Sequence, residues 1–161
     1  MINVRRPIAL DLAGMARLLN TIIEKGGTTA LTRPVTADDL SEWMAFAPDQ
    51  NAWHVAVDEN EQPVGFQWIE PEASLPPQAA NIATFVKVGQ TGLGIGSALF
   101  EATKKAAKDL GYVWINANIR ADNEGGLVYY QSRGFLDYGK IDGYRLENGQ
   151  TVDKRLKRYD L

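Results

Sequence analysis

The sequence has no cysteine and only one histidine among its 161 residues. The absence of cysteine excludes disulfides, thiol nucleophiles and thiolate metal sites. With a single histidine, a zinc or iron centre built on imidazoles is also not expected. No stretch approaches the roughly 20 continuous apolar residues of a membrane helix, and the first residues lack the apolar core of a signal peptide. These absences predict a cytoplasmic protein with no bound metal.

An excess of charge of one sign is also missing. The chain carries 17 Lys and Arg against 20 Asp and Glu, so its formal net charge is −3. That balance provides no general attraction to nucleic acid or to an anionic membrane, and neither is expected as a partner. Apolar residues make up 45% of the chain and charged residues 23%, which is typical of folded proteins. The length favours a single domain over residues 1–161.

Hydrophobic periodicity predicts a chain of alternating strand and helix groups. Helices are predicted over 9–24, from the Thr36–Asp39 capping box to Pro48, over 97–110 and over 124–132. Strands are predicted over 2–6, 52–57, 63–69, 82–88 and 112–119, and as a pair around Asn148-Gly149. The three prolines in 71–79 indicate an exposed loop. This order predicts an α/β fold with a mixed sheet that carries helices on its faces.

The clearest chemical signal is a glycine-rich turn between a strand and a helix. Its sequence is QTGLGIGS over residues 90–97, with glycines at three alternate positions. Glycine allows backbone N–H groups to converge on a ligand, and the N-terminus of the following helix adds a partial positive charge. This arrangement favours a phosphate-binding site. A plain tight turn into a helix is the alternative.

The spacing in this turn differs from two familiar nucleotide sites. A P-loop requires Lys followed by Ser or Thr after its last glycine, and Ser97-Ala98 stands there instead. A dinucleotide-binding turn spaces its glycines G-x-G-x-x-G, with an acidic residue after the next strand. Here the spacing is G-x-G-x-G, so the phosphate ligand is of another kind.

Two segments resemble the signatures of the GCN5-related N-acetyltransferases. Residues 91–96 (TGLGIG) are similar to that family's pyrophosphate-binding motif, Gln/Arg-x-x-Gly-x-Gly/Ala, although Thr91 stands at the Gln/Arg position and Gln90 lies one residue earlier. Residues 123–135 are similar to a second signature, in which an asparagine precedes a helix that carries a tyrosine, followed by Gly-Phe. Asn123, Tyr130, Gly134 and Phe135 occupy those positions.

The resemblance implies an acyl-CoA N-acyltransferase fold, with a central, mostly antiparallel twisted sheet and helices on both faces. It also implies acetyl-coenzyme A as co-substrate, bound in a cleft between the strands at 82–88 and 112–119. The cofactor-binding residues expected from the family are Phe85, Val86, Lys87 and Val88 beside the pantetheine arm, Thr91, Gly92, Leu93, Gly94, Ile95, Gly96 and Ser97 at the pyrophosphate, and Asn123 and Tyr130. A backbone N–H near Val86 is expected to stabilise the oxyanion.

By the same resemblance, Tyr130 is the general acid that protonates the leaving thiolate. A packed helix aromatic is the alternative interpretation of that residue. Tyr129 is adjacent, and its helical position predicts a ring that points about 100° away. Gly125 and Gly126 each weaken the short helix, which indicates close approach either of the coenzyme or of the sheet.

The general base is less clearly indicated. Many relatives carry a carboxylate on the strand corresponding to residues 80–88, which here has no Asp or Glu. Glu70 is the candidate base, Glu72 is a second one, and both could equally be solvated loop acids. His54, in the middle of a predicted strand, is a structural residue or a third candidate. The basic residues at 154, 155, 157 and 158 mark a solvated edge strand or attract an anionic ligand.

The sequence therefore predicts an acetyl-coenzyme A-dependent N-acetyltransferase. The expected acceptor is the primary amine of a small molecule, an amino acid or an antimicrobial-like amine, which attacks the thioester directly. Much of the acceptor pocket is expected from residues 26–50. A non-catalytic acyl-coenzyme A sensor on the same fold and an unrelated phosphate-binding module are the alternatives, and a homodimer stays open.

Overall fold

The computed structural model describes residues 1–161, and its elements follow the predicted order. The strands are β1 (Asn3–Arg5), β2 (Ala52–Val57), β3 (Pro63–Glu70), β4 (Ala79–Val86), β5 (Trp114–Arg120), β6 (Leu136–Arg145) and β7 (Thr151–Asp160). The helices are α1 (Leu12–Lys25), α2 (Ala37–Ala45), α3 (Ile95–Asp109) and α4 (Glu124–Ser132), with a short 3₁₀ turn over Ala9–Asp11 before α1. No helix has the length and the apolar character needed to span a membrane.

All seven strands form one sheet in the order β1-β2-β3-β4-β5-β7-β6. The pair β4–β5 is parallel, and every other neighbouring pair is antiparallel. A parallel pair needs a crossover connection, which here consists of the glycine-rich turn and α3. The expected mixed, mostly antiparallel sheet is therefore confirmed.

Helices cover both faces of the sheet. Alternate strand residues bury apolar side chains against α1 and α2 on one face, among them Trp53, Phe66 and Trp68. The intervening residues face α3 and α4, where Ile69, Ile115 and Ile119 pack with Phe100 and Phe135. Period-two alternation thus gives each face its own core.

Most boundaries differ from the sequence prediction by one to three residues, and two of the shifts bear on the site. β4 begins at Ala79 rather than at 82, because Ala79–Asn81 pair with Trp114–Asn116 of β5, far away in the sequence. The proline-rich loop is correspondingly shorter. α3 begins at Ile95 rather than at 97, because Gly94 caps it in the left-handed conformation, with φ of 83°.

The central strands β4 and β5 part after three paired residues. Beyond Asn81, β4 continues along β3 as far as the pair Gly65–Val86, whereas β5 continues along β7 as far as Arg120–Lys154. A wedge-shaped gap therefore opens in the middle of the sheet. The N-termini of α3 and α4 both lie at this gap.

The pH dependence of stability should report on the single histidine, His54 of β2. Its side chain is 7% exposed, and burial, together with the positive charge of Arg6, lowers its pKa from 6.5 to about 4. Between these two pKa values, His54 of the unfolded chain binds a proton more readily than His54 of the native state does. The free energy of unfolding should therefore decrease as the pH falls through this window, by at most about 1.4 kcal/mol per pH unit.

The measurement is urea denaturation at a series of pH values from about 7 to 5, above the range where carboxylates dominate. The variant His54→Leu should show a flatter dependence than the wild type. Equal slopes for the two proteins would contradict the assignment of a buried, neutral imidazole.

Candidate active site

The gap between β4 and β5 opens into a cleft of about 1220 Å³ that extends to both faces of the sheet. On the α3–α4 side it is lined by the glycine-rich turn and by residues of α3 and α4. On the α1–α2 side it is lined by residues of the α1–α2 loop, of α2 and of the ends of β3 and β7. Residues 28–31, with Glu42, Trp43 and Phe46, supply much of this second side. A ligand can therefore reach the open edge of β4 from either face.

The glycine-rich turn forms an open concavity at the N-terminus of α3. Gly92 and Gly94 have positive φ values of 84° and 83°, and nothing lies within 4 Å of the position of a Cβ on either residue. Thr91, Gly92, Gly94, Gly96 and Ser97 all line the cleft. The side chain of Leu93 points into solvent and that of Ile95 is buried beneath the turn, so the backbone is what these two residues offer to a ligand.

Gly96 has a different role from the other two glycines. An added Cβ would lie 2.6 Å from Cε1 of Tyr129, which packs directly over this residue. The Tyr129 hydroxyl also donates a hydrogen bond of 2.7 Å to the carbonyl oxygen of Gly96. The third glycine of the turn therefore permits close packing of α4 against the first turn of α3.

Arg133 adds a positive charge beside this turn, and no sequence motif indicated it. It caps the C-terminus of α4, and its Nη1 donates a hydrogen bond of 2.7 Å to Oγ of Ser97. It forms no ion pair, and its buried Nε has no hydrogen-bond partner. A guanidinium next to a helix N-terminus is a favourable arrangement for a phosphate.

The free edge of β4 presents backbone groups to the cleft. The Lys87 N–H donates to the Val64 carbonyl (2.9 Å), so antiparallel alternation directs the N–H groups of Val86 and Thr84 away from β3, towards the gap. Phe85, Val86 and Val88 line the cleft, whereas Lys87 does not. The Lys87 carbonyl also has a partner, since it accepts from the Gln90 N–H at 3.0 Å.

Tyr130 lines the cleft from α4, with its hydroxyl 2.8 Å from Oγ1 of Thr84 on β4. Its ring packs edge-on against Phe135, at a centroid distance of 5.1 Å. Burial, reinforced by the neighbouring Tyr129, raises the pKa of the Tyr130 phenol above its usual value. The phenol is therefore protonated at neutral pH, in the state required of an acid, and its ring is at the same time a packed core group.

Tyr129 does not point away from the site, so the expectation that its ring lies elsewhere is wrong. It lines the same cleft, with its ring 4.9 Å from that of Tyr130. Its hydroxyl accepts a hydrogen bond of 3.0 Å from Gln67 and donates to Gly96. Burial raises the pKa of Tyr129 to about 12. The two rings diverge along α4 but both reach the gap, because residues along the whole helix, from Gly125 to Ser132, line the cleft.

The start of α4 explains the remaining residues of the second signature. Asn123 lines the cleft and caps the helix, since its Oδ1 accepts from Gly126 N–H at 3.0 Å and its Nδ2 donates to Thr28 O at 3.1 Å. A Cβ on Gly126 would lie 2.5 Å from the Asn123 side chain, so packing accounts for this glycine. Around Gly125 there is open space towards the cleft.

The sequence of this chain matches the model of a known family. The model of the acetyltransferase (GNAT) family matches residues 15–135. The chain belongs to the GNAT acetyltransferase family. A curated relative, "Putative phosphinothricin acetyltransferase YwnH" of Bacillus subtilis (strain 168), is 28% identical over 153 residues, which cover 94% of each chain. Family membership and these relatives identify an acetyl-coenzyme A-dependent N-acetyltransferase.

Solved structures of GNAT proteins share the whole fold. A crystal structure described as a putative phosphinothricin N-acetyltransferase matches with a TM-score of 0.85 and 25% identity, over 100% of this chain and 99% of that one. A structure of yncA from Salmonella typhimurium, described as a putative acetyltransferase with its cofactor acetyl-CoA, matches with a TM-score of 0.88 and 18% identity, over 99% of this chain and 94% of that one. The expected GNAT-like fold is thus confirmed.

Of the three candidate bases, the structure places one in the cleft of this GNAT domain. Glu70, the last residue of β3, lines its α1–α2 side and accepts a hydrogen bond from the indole Nε1 of Trp68. Burial raises the pKa of its carboxyl. Glu72 is exposed and bonds to Ser74 in the following loop, and His54 lies outside the cleft.

The basic run on β7 divides into residues with different surroundings. Lys157 pairs with Asp137 (2.7 Å) and Arg158 with Asp160 (2.7 Å), while Arg155 is exposed. Lys154 alone lines the cleft, on its α1–α2 side. It is 9% exposed, lies 3.6 Å from the centre of the Tyr144 ring and forms no ion pair. The expectation of a solvated edge strand is wrong, because β7 lies between β5 and β6 in the sheet and both Lys154 and Lys157 are buried. One lysine of the run faces the site.

Proposed function

We propose that this enzyme transfers the acetyl group of acetyl-coenzyme A to the primary amine of a small molecule by direct attack. The observation that carries the proposal is the gap between β4 and β5. It connects an open glycine-rich turn on the α3–α4 side with an aromatic pocket on the α1–α2 side that is lined by both acidic and basic side chains. Two reactants can therefore meet at the free edge of β4 from opposite faces of the sheet.

The coenzyme fits the α3–α4 side. The backbone N–H groups from Gly92 to Ser97 and the N-terminus of α3 would hold the pyrophosphate, with Arg133 as a further positive charge. The outward-facing backbone groups of β4 near Val86 would pair with the amides of the pantetheine arm, as a strand pairs with its neighbour. The positive φ and empty surroundings of Gly92 and Gly94 support this placement.

Two groups of this chain would take part in the acetyl transfer itself. Val86 N–H points into the gap, where it can donate to the oxygen that becomes negative as the amine attacks the thioester carbonyl. When the carbon–sulfur bond breaks, Tyr130 can give its proton to the departing thiolate. Tyr130 thus acts as the general acid, and its protonated state at neutral pH supports this role.

An ammonium acceptor must lose a proton before it attacks. With an amine pKa near 10.4, neutralisation at pH 7 costs roughly 4.6 kcal/mol. Glu70 is the carboxylate at the end of β3 on the α1–α2 side, and burial raises its pKa, which makes it a stronger base than an exposed glutamate. We assign Glu70 as the base, directly or through water.

The charges of the α1–α2 side favour an amino acid over a cationic antimicrobial-like amine. Lys154 is a buried cation without an ion pair, and burial lowers its pKa. An anionic group on the acceptor would compensate this charge, whereas a second cation would be repelled. A non-catalytic sensor would have no use for Glu70 and Tyr130 on opposite sides of one gap, and the structure supports that alternative less.

Acetyl-coenzyme A should bind and stabilise the fold. At 100 times the dissociation constant the gain should be about 2.7 kcal/mol, measured as a shift of the melting curve. Gly94→Glu should abolish the shift, because it places a negative charge in the phosphate cradle. Gly149→Glu is the matched control, since Gly149 also has positive φ and open surroundings but lies in the β6–β7 turn. A full shift with Gly94→Glu would place the pyrophosphate elsewhere.

Replacement of Tyr130 by Phe should lower kcat by about 10²–10⁴ and leave coenzyme affinity almost unchanged. The ring and its packing are kept, and the proton is needed only in the transition state. Tyr112→Phe is the matched control, because it removes a buried hydroxyl that donates to Gln50 O (2.6 Å) outside the cleft. Steady-state kinetics with an acceptor found by screening amines tests this, and an unchanged kcat would remove Tyr130 from the mechanism.

Acceptors with a carboxylate should depend on Lys154. The variant Lys154→Met should raise KM for an α-amino acid by about tenfold or more and have little effect on KM for the corresponding amide, which carries the same amine without the negative charge. Arg155→Met, at the exposed neighbouring position, is the control. Release of coenzyme A thiol provides the assay. Equal changes for the acid and the amide would show that Lys154 does not recognise the anion.

A further inference from the structure

A buried hydrogen-bond network links both tyrosines of α4 to the central strands. Gln67 of β3 is fully buried, and its Nε2 donates to Thr84 Oγ1 at 2.8 Å and to the Tyr129 hydroxyl at 3.0 Å. Thr84 Oγ1 lies 2.8 Å from the hydroxyl of Tyr130, and the Tyr129 hydroxyl donates to Gly96 O at 2.7 Å. Gln67 is therefore the common partner of two branches that end at adjacent phenols.

The chemistry of the partners determines which atom donates between Gln67 and Thr84. An amide nitrogen only donates, so Thr84 Oγ1 accepts from Gln67 and keeps its own proton for another partner. The Tyr130 oxygen lies 2.8 Å from Thr84 Oγ1, and either hydroxyl can donate in this pair. The arrangement that leaves the phenol proton available to a ligand is the one in which Thr84 donates. In that arrangement Tyr130 accepts at its oxygen, and its own proton has no acceptor in the protein.

The neighbouring phenol is in the opposite state. A carbonyl oxygen only accepts, so the proton of Tyr129 is committed to Gly96 O. Tyr129 ties α4 to α3 by donating its proton to Gly96 O, whereas the proton of Tyr130 is free when Thr84 donates to the Tyr130 oxygen.

We propose that Thr84, oriented by Gln67, is a positioning residue that directs the proton of Tyr130 to the sulfur of the coenzyme. This inference rests on the proposed function and deepens its acid step. When the carbon–sulfur bond breaks, its electron pair goes to sulfur, and the Tyr130 proton forms the S–H bond. The resulting phenolate keeps the hydrogen bond from Thr84 until water returns a proton to it.

The opposite arrangement would disable the acid. If Tyr130 donated to Thr84, the phenol would have no free proton for the thiolate. The phenolate also forms in a buried site where an unpaired charge is costly. A hydrogen bond from Thr84 to the Tyr130 oxygen therefore has two effects. It leaves the phenol proton directed at the sulfur, and it stabilises the negative charge of the phenolate.

The test is the pKa of the coenzyme A thiol bound to the enzyme, followed by the ultraviolet absorbance of the thiolate in a pH titration of the binary complex. This readout requires no acceptor. In the wild type the Tyr130 proton stabilises the thiolate, so Tyr130→Phe should raise the pKa of the bound thiol. Thr84→Val should raise it to a value between those two proteins, and Thr84→Ser should restore the wild-type value. With an acceptor, Thr84→Val should lower kcat by about tenfold.

Two controls separate positioning from packing. Thr103→Val removes a buried hydroxyl that has no hydrogen-bond partner and should change neither the pKa of the bound thiol nor kcat. Thr84→Val combined with Tyr130→Phe should equal Tyr130→Phe alone, because Thr84 acts only through that phenol.

Additive effects in the double variant, or an unchanged pKa of the bound thiol in Thr84→Val while Tyr130→Phe shifts it, would overturn the proposal. If Tyr130→Phe leaves both the thiol pKa and kcat unchanged, the acid assignment is wrong and the role of Thr84 falls with it. If coenzyme A does not bind the wild type at all, the proposed function itself has failed.

Discussion

The separation of β4 from β5 after three paired residues is the constraint on which the site depends. Side chains hold the two strands together at the last pair, since Asn116 Nδ2 donates to Asn81 Oδ1 at 3.0 Å and to Asn118 Oδ1 at 2.9 Å, and Tyr138 bonds to Asn116. Beyond that point each strand keeps its outer neighbour and loses its inner one. Unpaired backbone groups in the centre of a sheet are costly unless a ligand or water satisfies them. The fork therefore creates a binding edge where a continuous sheet would have none.

The charges around the fork between β4 and β5 are unevenly distributed, and the net charge of the chain does not reveal this. A net charge of −3 gave no reason to expect an anionic ligand. Yet the N-terminus of α3 and the unpaired Arg133 make the α3–α4 side positive, and Glu70 provides an acid on the other side. The opposite faces of the sheet keep these charges apart. The coenzyme and the acceptor can thus bind at different ends of one cleft.

Much of the fold could be predicted because local patterns decide it. Strand 52–57 and helix 124–132 have the predicted bounds, and the glycine-rich turn and Tyr130 lie at the gap. Long-range pairing decided the rest. Ala79 and Ala80 have no strand signal of their own and become strand residues only through β5. Arg133 belongs to no motif, and its importance comes from α3, more than 30 residues earlier in the chain, where Ser97 accepts its hydrogen bond. The prediction that the Tyr129 ring points away from the site failed for the same reason. Helical geometry gives the angle between two adjacent side chains, but it does not give the position of the helix over the gap.

The two family signatures, which are separate in the sequence, form one unit in the structure. Gly96 ends the first signature, and its lack of a side chain admits the ring of Tyr129 from the second. The Tyr129 hydroxyl donates a hydrogen bond to Gly96 O, and this bond holds α4 against the first turn of α3, whose N-terminus forms part of the cradle. The same contact fixes the position of the next residue, Tyr130, relative to β4. A shift of α4 relative to the phosphate cradle would therefore also move the phenol of Tyr130. The binding of the coenzyme is thus coupled to the position of Tyr130, its proposed proton donor.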